Sequence, residues 1–153
     1  MKGEHDFDFL HGDWTVRHRK LKTRLAGADD WQEFEGTSTT RPIMGGVGNV
    51  EDNFIDDPNG AYRAAAIRAY DSESGIWRIW WLDLRYPAEI GTPVAGGFDG
   101  DRGEFIADDQ WNGVPIKVRF VWQKNSGTGP RWEQSFSADS GYSWELNWSM
   151  QFT

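Results

Sequence analysis

Four ionisable side chains of this chain, His18, Glu51, Asp83 and Asp109, have the chemistry for acid–base work on a bound molecule. Glycoside hydrolysis takes two carboxylates at a defined separation, for which Asp83 and Asp109 are the candidates; the enzyme such groups would make is a hydrolase or an isomerase. Each also has a structural role open to it. Asp83 and Asp109 are suited to neutralising Arg68, and Asp109 to bracing a turn at Asn112-Gly113. Arg68 is the fifth group of interest, because a guanidinium held inside a fold is costly unless it meets a carboxylate or an anionic ligand.

The three histidines, His5, His11 and His18, are spaced by six and seven residues. Metal-binding pairs are spaced more tightly, and no metal or cofactor is expected. Gly45-Gly46-Val47-Gly48 leads into a strand and lacks the following Lys-Ser or Lys-Thr of a phosphate-binding loop. No serine stands in a nucleophile-elbow context.

What must position these groups is a series of strands. Ten tryptophans punctuate the 153 residues, with Trp77 and Trp81, and again Trp144 and Trp148, four apart on one face of a strand. At the C-terminus Trp144, Leu146, Trp148, Met150 and Phe152 alternate with Glu145, Asn147, Ser149 and Gln151, the period of two expected of a half-buried strand. Turn signals such as Asp57-Pro58-Asn59-Gly60, Ser72-Glu73-Ser74-Gly75 and Asn112-Gly113 separate the alternating runs. They predict ten strands near 13–22, 31–41, 47–56, 61–70, 76–84, 93–98, 103–110, 114–124, 130–137 and 144–152. A short helix is expected from His5 to Leu10, and the loop from Arg85 to Thr92 is a candidate lid.

Each hairpin turn fixes which residues oppose one another. A two-residue turn at Asn112-Gly113 pairs Trp111 with Val114 and Phe105 with Phe120; the next hairpins then oppose Phe120 to Trp132, and Trp132 to Trp148. These strands share an inner face, while Lys117, Arg119, Glu133, Glu145 and Asn147 fall outside, with Arg119 opposite Glu133 as a solvated pair. Upstream, the turn at Pro58-Asn59 pairs Asn53 with Ala64, Glu51 with Ala66 and Asn49 with Arg68. The turn after Tyr70 opposes it to Trp77, Ala66 to Trp81 and Ala64 to Asp83. Asn49, Glu51, Asn53, Arg68 and Asp83 therefore point inward with Trp77 and Trp81, beside space left by two alanines. His18 shares the face of Trp14 and Val16, where a lone histidine serves as a hydrogen-bonded core residue or as a ligand or base.

A chain of this length suits one domain with a sizeable core. Its net charge of -8, with 16 basic residues scattered among 24 acidic ones, argues against nucleic acid and anionic membrane surfaces as partners. Cysteine is absent, so disulfides and thiolate metal sites are excluded. With no signal-like run at Met-Lys-Gly-Glu-His-Asp-Phe, a cytoplasmic location is expected.

Gly12-Asp13-Trp14, opening the first strand after Phe7, Phe9 and Leu10, resembles the G-x-W of the lipocalin-like barrels. The longer pattern, with Phe7 to Trp14, Gly45 to Val50 and Arg131 to Ser137, resembles an uncharacterised bacterial lipocalin-like family. That resemblance implies a calycin-type fold with the indole across the closed end of the barrel, and it implies no catalytic residues. Lipocalins set an Arg from the last strands against that indole, and the final strand here has none. The haem-binding nitrobindin relatives carry a late proximal His, whereas all three histidines here precede residue 19, so haem is not expected. Ser137-x-Asp139-x-Gly141-x-Ser143-Trp144 matches an Asp-box turn; a single copy reads as a structural hairpin.

The expectation is an all-β protein: one antiparallel up-and-down barrel of about ten strands, lipocalin- or calycin-like, with a short N-terminal helix plugging one end. Such a barrel has room for a small, partly apolar and possibly anionic molecule. Trp14, Trp77, Trp81, Trp122, Trp132 and Trp148 would form the wall, and Arg68 or His18 would anchor a polar head. The alternatives are the enzyme above and a structural or interaction module whose interior is simply filled. An outward face of Trp80, Leu82 and Leu84, with Ile106 nearby, suggests a homodimer.

Overall fold

The computed structural model describes residues 3–153. Ten strands appear: β1 (Gly12–Leu21), β2 (Trp31–Ile43), β3 (Gly48–Ile55), β4 (Tyr62–Asp71), β5 (Ile76–Asp83), β6 (Val94–Asp99), β7 (Arg102–Trp111), β8 (Val114–Gln123), β9 (Arg131–Ser137) and β10 (Glu145–Phe152). Every end lies within two residues of its expected position. Each strand pairs antiparallel with its sequence neighbours, and β10 closes the ring on β1. The expected N-terminal helix is reduced to a single 3-10 turn, Asp8–Leu10. None of the described helices is long and apolar enough to cross a membrane.

In the first half the registers match expectation residue for residue. Asn49 faces Arg68, Glu51 faces Ala66, Asn53 faces Ala64, Ala66 faces Trp81 and Ala64 faces Asp83. Trp111 faces Val114 and Phe105 faces Phe120 across the Asn112-Gly113 hairpin, with Asn112 and Gly113 both at positive φ, as a two-residue turn of this kind requires.

Two corrections concern the last three strands. Trp122, not Phe120, opposes Trp132, because the chain reverses in a tight turn where Ser126 N–H donates to the Gly129 carbonyl at 2.9 Å. That shift of two residues keeps every side chain on its face. A bulge between Leu146 and Trp148 does not. It turns Asn147 inward, where it is fully buried and its Oδ1 accepts from Gln134 Nε2 at 2.9 Å. Leu146 now opposes Ser135, Trp148 opposes Gln134 while Met150 takes the place expected for Trp148 opposite Trp132, and Glu145 faces Phe136 instead of falling outside. Trp144 leaves the inner face to stack on Arg119, whose guanidinium carbon sits 4.3 Å from the ring centroid. Arg119 faces Ser135 rather than Glu133, so the expected solvated pair does not form.

Along its axis the barrel changes character. One end is filled: Phe7 packs edge-on against Trp77 and Phe98, each at 5.0 Å, and against Phe105 at 5.6 Å. Trp14 seals this end, donating Nε1–H to the Leu10 carbonyl at 2.8 Å and meeting Phe152 edge-on. The opposite end, where the loops 22–30, 56–61 and 84–93 emerge, is hollow. There the sheet is thinnest, for β5 and β6 share only the pairs Trp77–Gly96, Arg78–Ala95 and Ile79–Val94. Beyond them the 84–93 segment is tied back by a bridge from Ile90 to Leu82 and by Gly91 N–H donating to the Trp81 carbonyl at 3.0 Å.

Candidate functional site

Beneath the aromatic plug lies a polar layer. Arg68, 2% exposed, donates through Nη2 to Glu51 Oε1 and through Nη1 to Asn49 Oδ1 at 2.9 Å. Its guanidinium carbon also lies 5.0 Å from the Phe7 ring and 5.2 Å from that of Trp122. The carboxylate that Arg68 was expected to need is therefore Glu51. Asp83 and Asp109 do not neutralise it: Asp83 binds Arg85, with Nη2–Oδ2 at 2.7 Å, and Asp109 is exposed, its Oδ1 accepting from Gln110 N–H at 2.8 Å. Only a void of about 20 Å³ adjoins Arg68, bounded by Glu51, Trp81, Trp122 and Trp132 among others; that is room for about one water. Ser38 Oγ, Thr40 Oγ1 and both side-chain amide atoms of Asn53 are buried in the same layer without protein partners.

His18 is 1% exposed. Its Nδ1 accepts from Trp148 Nε1 at 3.1 Å, and its ring stacks on Phe34 at 4.9 Å. Burial, with Lys20 adding to it, pushes the imidazole down to about 4 against a weaker pull from Asp57, so it is neutral at ordinary pH. Gly36 makes room for this packing, since a Cβ there would stand 2.3 Å from the Phe54 carbonyl oxygen and 3.1 Å from His18 Nε2. The hydrogen-bonded core role is thus the one the geometry gives His18.

At the open end the interior widens into a cavity of about 990 Å³. Trp81, Trp111, Phe120, Trp132, Phe136 and Trp148 form its wall, and the rim carries Lys20, Arg24, Asp57, Tyr62, Asp83 and Arg85. Of the thirteen residues singled out from the sequence, Trp81, Asp83, Asp109, Trp132 and Trp148 line this cavity. Glu51, Arg68 and Trp122 border the small void, with Trp81 and Trp132 touching both spaces. Trp14 and Trp77 belong to the plug, and His18, Asn49 and Asn53 lie outside both spaces. The four proposed acid–base groups consequently do not converge on one point.

The rim is a set of cations with unequal partners. Lys20 Nζ donates to Tyr62 Oη at 3.0 Å, approaches Asp57 at 3.7 Å and lies 4.3 Å above the Trp148 ring. Arg85 is held by Asp83 and covers Tyr62 at 3.6 Å. Arg24 differs: among the described residues it has no carboxylate within ion-pairing distance, and it rests on Trp111 at 5.0 Å and Phe136 at 5.3 Å. Burial lowers its pKa to about 10, Tyr62 and Glu145 pull it back and Arg85 repels it, so it stays charged. Glu145 is already engaged, accepting from Leu25 N–H at 2.6 Å.

Lys20 was legible, since it continues the alternation Trp14, Val16, His18, and Tyr62 was legible through its pairing with Ile55. Arg24 and Arg85 sit in loops, where no periodicity marks direction. No protein-family model matches the chain, and no curated protein sequence matches it.

Proposed function

We propose that the protein binds a small, partly apolar anion in the open half of a calycin-type barrel. The observation that carries this reading is the cavity of about 990 Å³ with an aromatic wall and, at its rim, a guanidinium without an ion-pair partner. Cavities of this size and lining suit one small molecule. An arginine stacked on two rings is preorganised for bidentate contact with a carboxylate, sulfonate or phosphate. The head-group role first considered for Arg68 passes to Arg24, because Glu51 and Asn49 already occupy the buried guanidinium. Trp81, Trp132 and Trp148 serve as the wall for the apolar part.

The test uses 8-anilinonaphthalene-1-sulfonate, read by its own emission and by tryptophan quenching. Arg24→Glu should weaken binding roughly tenfold to hundredfold, the worth of one or two charge-assisted hydrogen bonds. Arg119→Glu, on the outer face, should leave it unchanged. Equal affinity in wild type and Arg24→Glu would remove Arg24 as the anchor, and no binding by wild type would remove the cavity reading.

A further inference from the structure

We propose that Lys20 is a carbonyl-trapping amine, whose Nζ condenses with an aldehyde or ketone carried by an organic acid that enters the open end of the barrel. This rests on the cavity reading above and adds covalent chemistry to it.

Lys20 occupies the last inward position of β1 on the face of Val16 and His18, and its side chain is 18% exposed. The ammonium is packed against the Trp148 ring and shares its surroundings with two other cations. Burial, then repulsion from Arg24 and Arg85, brings its pKa down to about 8 despite the opposing pull of Asp57. At pH 8 about half of the amine is then neutral, against a few tenths of a per cent for an ordinary lysine. Lysines desolvated beside other cations are the ones that form Schiff bases. The charged and titratable groups facing it come from every neighbouring element: Arg24 from the β1–β2 loop, Asp57 from the β3–β4 loop, Tyr62 from β4, Asp83 and Arg85 from the end of β5, and His18 from β1 itself. Glu145, at the start of β10, reaches the group through Arg24.

Two of these groups suit the proton steps. Tyr62 Oη lies 3.0 Å from Nζ, and its pKa is pushed up to about 12 by burial, so it remains a phenol able to donate. Asp57 lies 3.7 Å away on the same ammonium. The Nζ lone pair attacks the carbonyl carbon, forming the C–N bond while the π pair moves to oxygen. Tyr62 protonates that oxygen and Asp57 takes a proton from nitrogen, giving the carbinolamine. The hydroxyl then leaves as water with the proton from Asp57, and the Tyr62 phenolate takes the remaining nitrogen proton, leaving a neutral imine. One carbonyl and one amine give one C=N bond and one water, with no oxidant or reductant. Arg24 offers the ligand's carboxylate a partner, which is why the carbonyl compound is an acid.

The experiment treats the full-length protein at pH 8 with limiting 4-carboxybenzaldehyde and cyanoborohydride, and maps the reduced adduct by peptide mass spectrometry. In parallel, 4-carboxybenzyl alcohol, which lacks the carbonyl, is titrated against tryptophan emission. Lys20 should be labelled at least about tenfold faster than Lys22, Lys117 or Lys124, with a rate that rises through an apparent midpoint near 8. Lys20→Arg should abolish this fast phase while the alcohol still binds. Tyr62→Phe, which keeps the amine and the ring, should slow it. Even labelling of all lysines with the alcohol still bound overturns the imine and leaves the cavity reading standing. Even labelling with no binding of the alcohol overturns both. Should Lys20→Arg fail to fold, preferential labelling of Lys20 in the wild type and its slowing in Tyr62→Phe decide the matter.

Discussion

Arg68 and Glu51 meet diagonally across the β3–β4 ladder, two pairs removed from direct register: Arg68 faces Asn49, and Glu51 faces Ala66. Both are 2% exposed, so bulk solvent reaches neither charge. Removing one partner of such a pair strands the other. Arg68→Met should cost about 3–5 kcal/mol in a urea titration, whereas the double variant Arg68→Met with Glu51→Met should recover most of that loss. Additive costs in the double variant would mean that the pair does not act as a unit.

Thr40 offers the opposite case. Its Oγ1 is fully buried without a protein partner, so the fold carries an unmet polar group there. Thr40→Val keeps the shape and removes the hydroxyl, and should leave stability equal or raise it by up to about 1 kcal/mol. A loss beyond about 1 kcal/mol would show that the hydroxyl is bonded in solution.

His18 links stability to pH. Its folded pKa of about 4 lies below the unfolded value near 6.5, so the unfolded chain takes up the proton more readily. The neutral-histidine contribution is complete above about pH 6.5 and is lost as pH falls towards 4, amounting to about 3 kcal/mol. His18→Gln, which retains an acceptor for Trp148, should flatten the pH dependence of the urea midpoint in this window.

Gly36 and Gly96 are fixed by close backbone approach. A Cβ at Gly96 would lie 1.9 Å from the Glu104 carbonyl oxygen, and one at Gly36 would lie 2.3 Å from that of Phe54. Either Gly→Ala change should cost about 1–3 kcal/mol or more, read as a fall in melting temperature. Gly97→Ala, which meets nothing within 4 Å, is the control beside Gly96.

Hairpin arithmetic made the pairings of β3 with β4, β4 with β5 and β7 with β8 readable to the residue, because short turns leave no freedom in register, and it slipped by two residues across the longer β8–β9 turn. It failed at β10, where a single extra residue between Leu146 and Trp148 reverses the faces, and an alternating sequence carries no mark of such a bulge. The polar layer was visible as inward Asn49, Glu51, Asn53 and Arg68, yet which carboxylate would reach Arg68 depends on side-chain length and diagonal geometry. The rim was least visible. Arg24, Asp57 and Arg85 come from three loops remote in sequence, and only ring closure brings them to one mouth.

The short β5–β6 seam gives the barrel a preferred line along which to part. Trp81 stands on it, its carbonyl receiving the Gly91 N–H that ties down the 84–93 segment and its indole forming a wall of both interior spaces. Separation there would unlatch the segment and move the cavity wall together. Admission of a cargo and the first step of local unfolding would then be the same event, and a bound cargo would slow amide exchange at Gly91 well before it changed the exchange of β7 and β8.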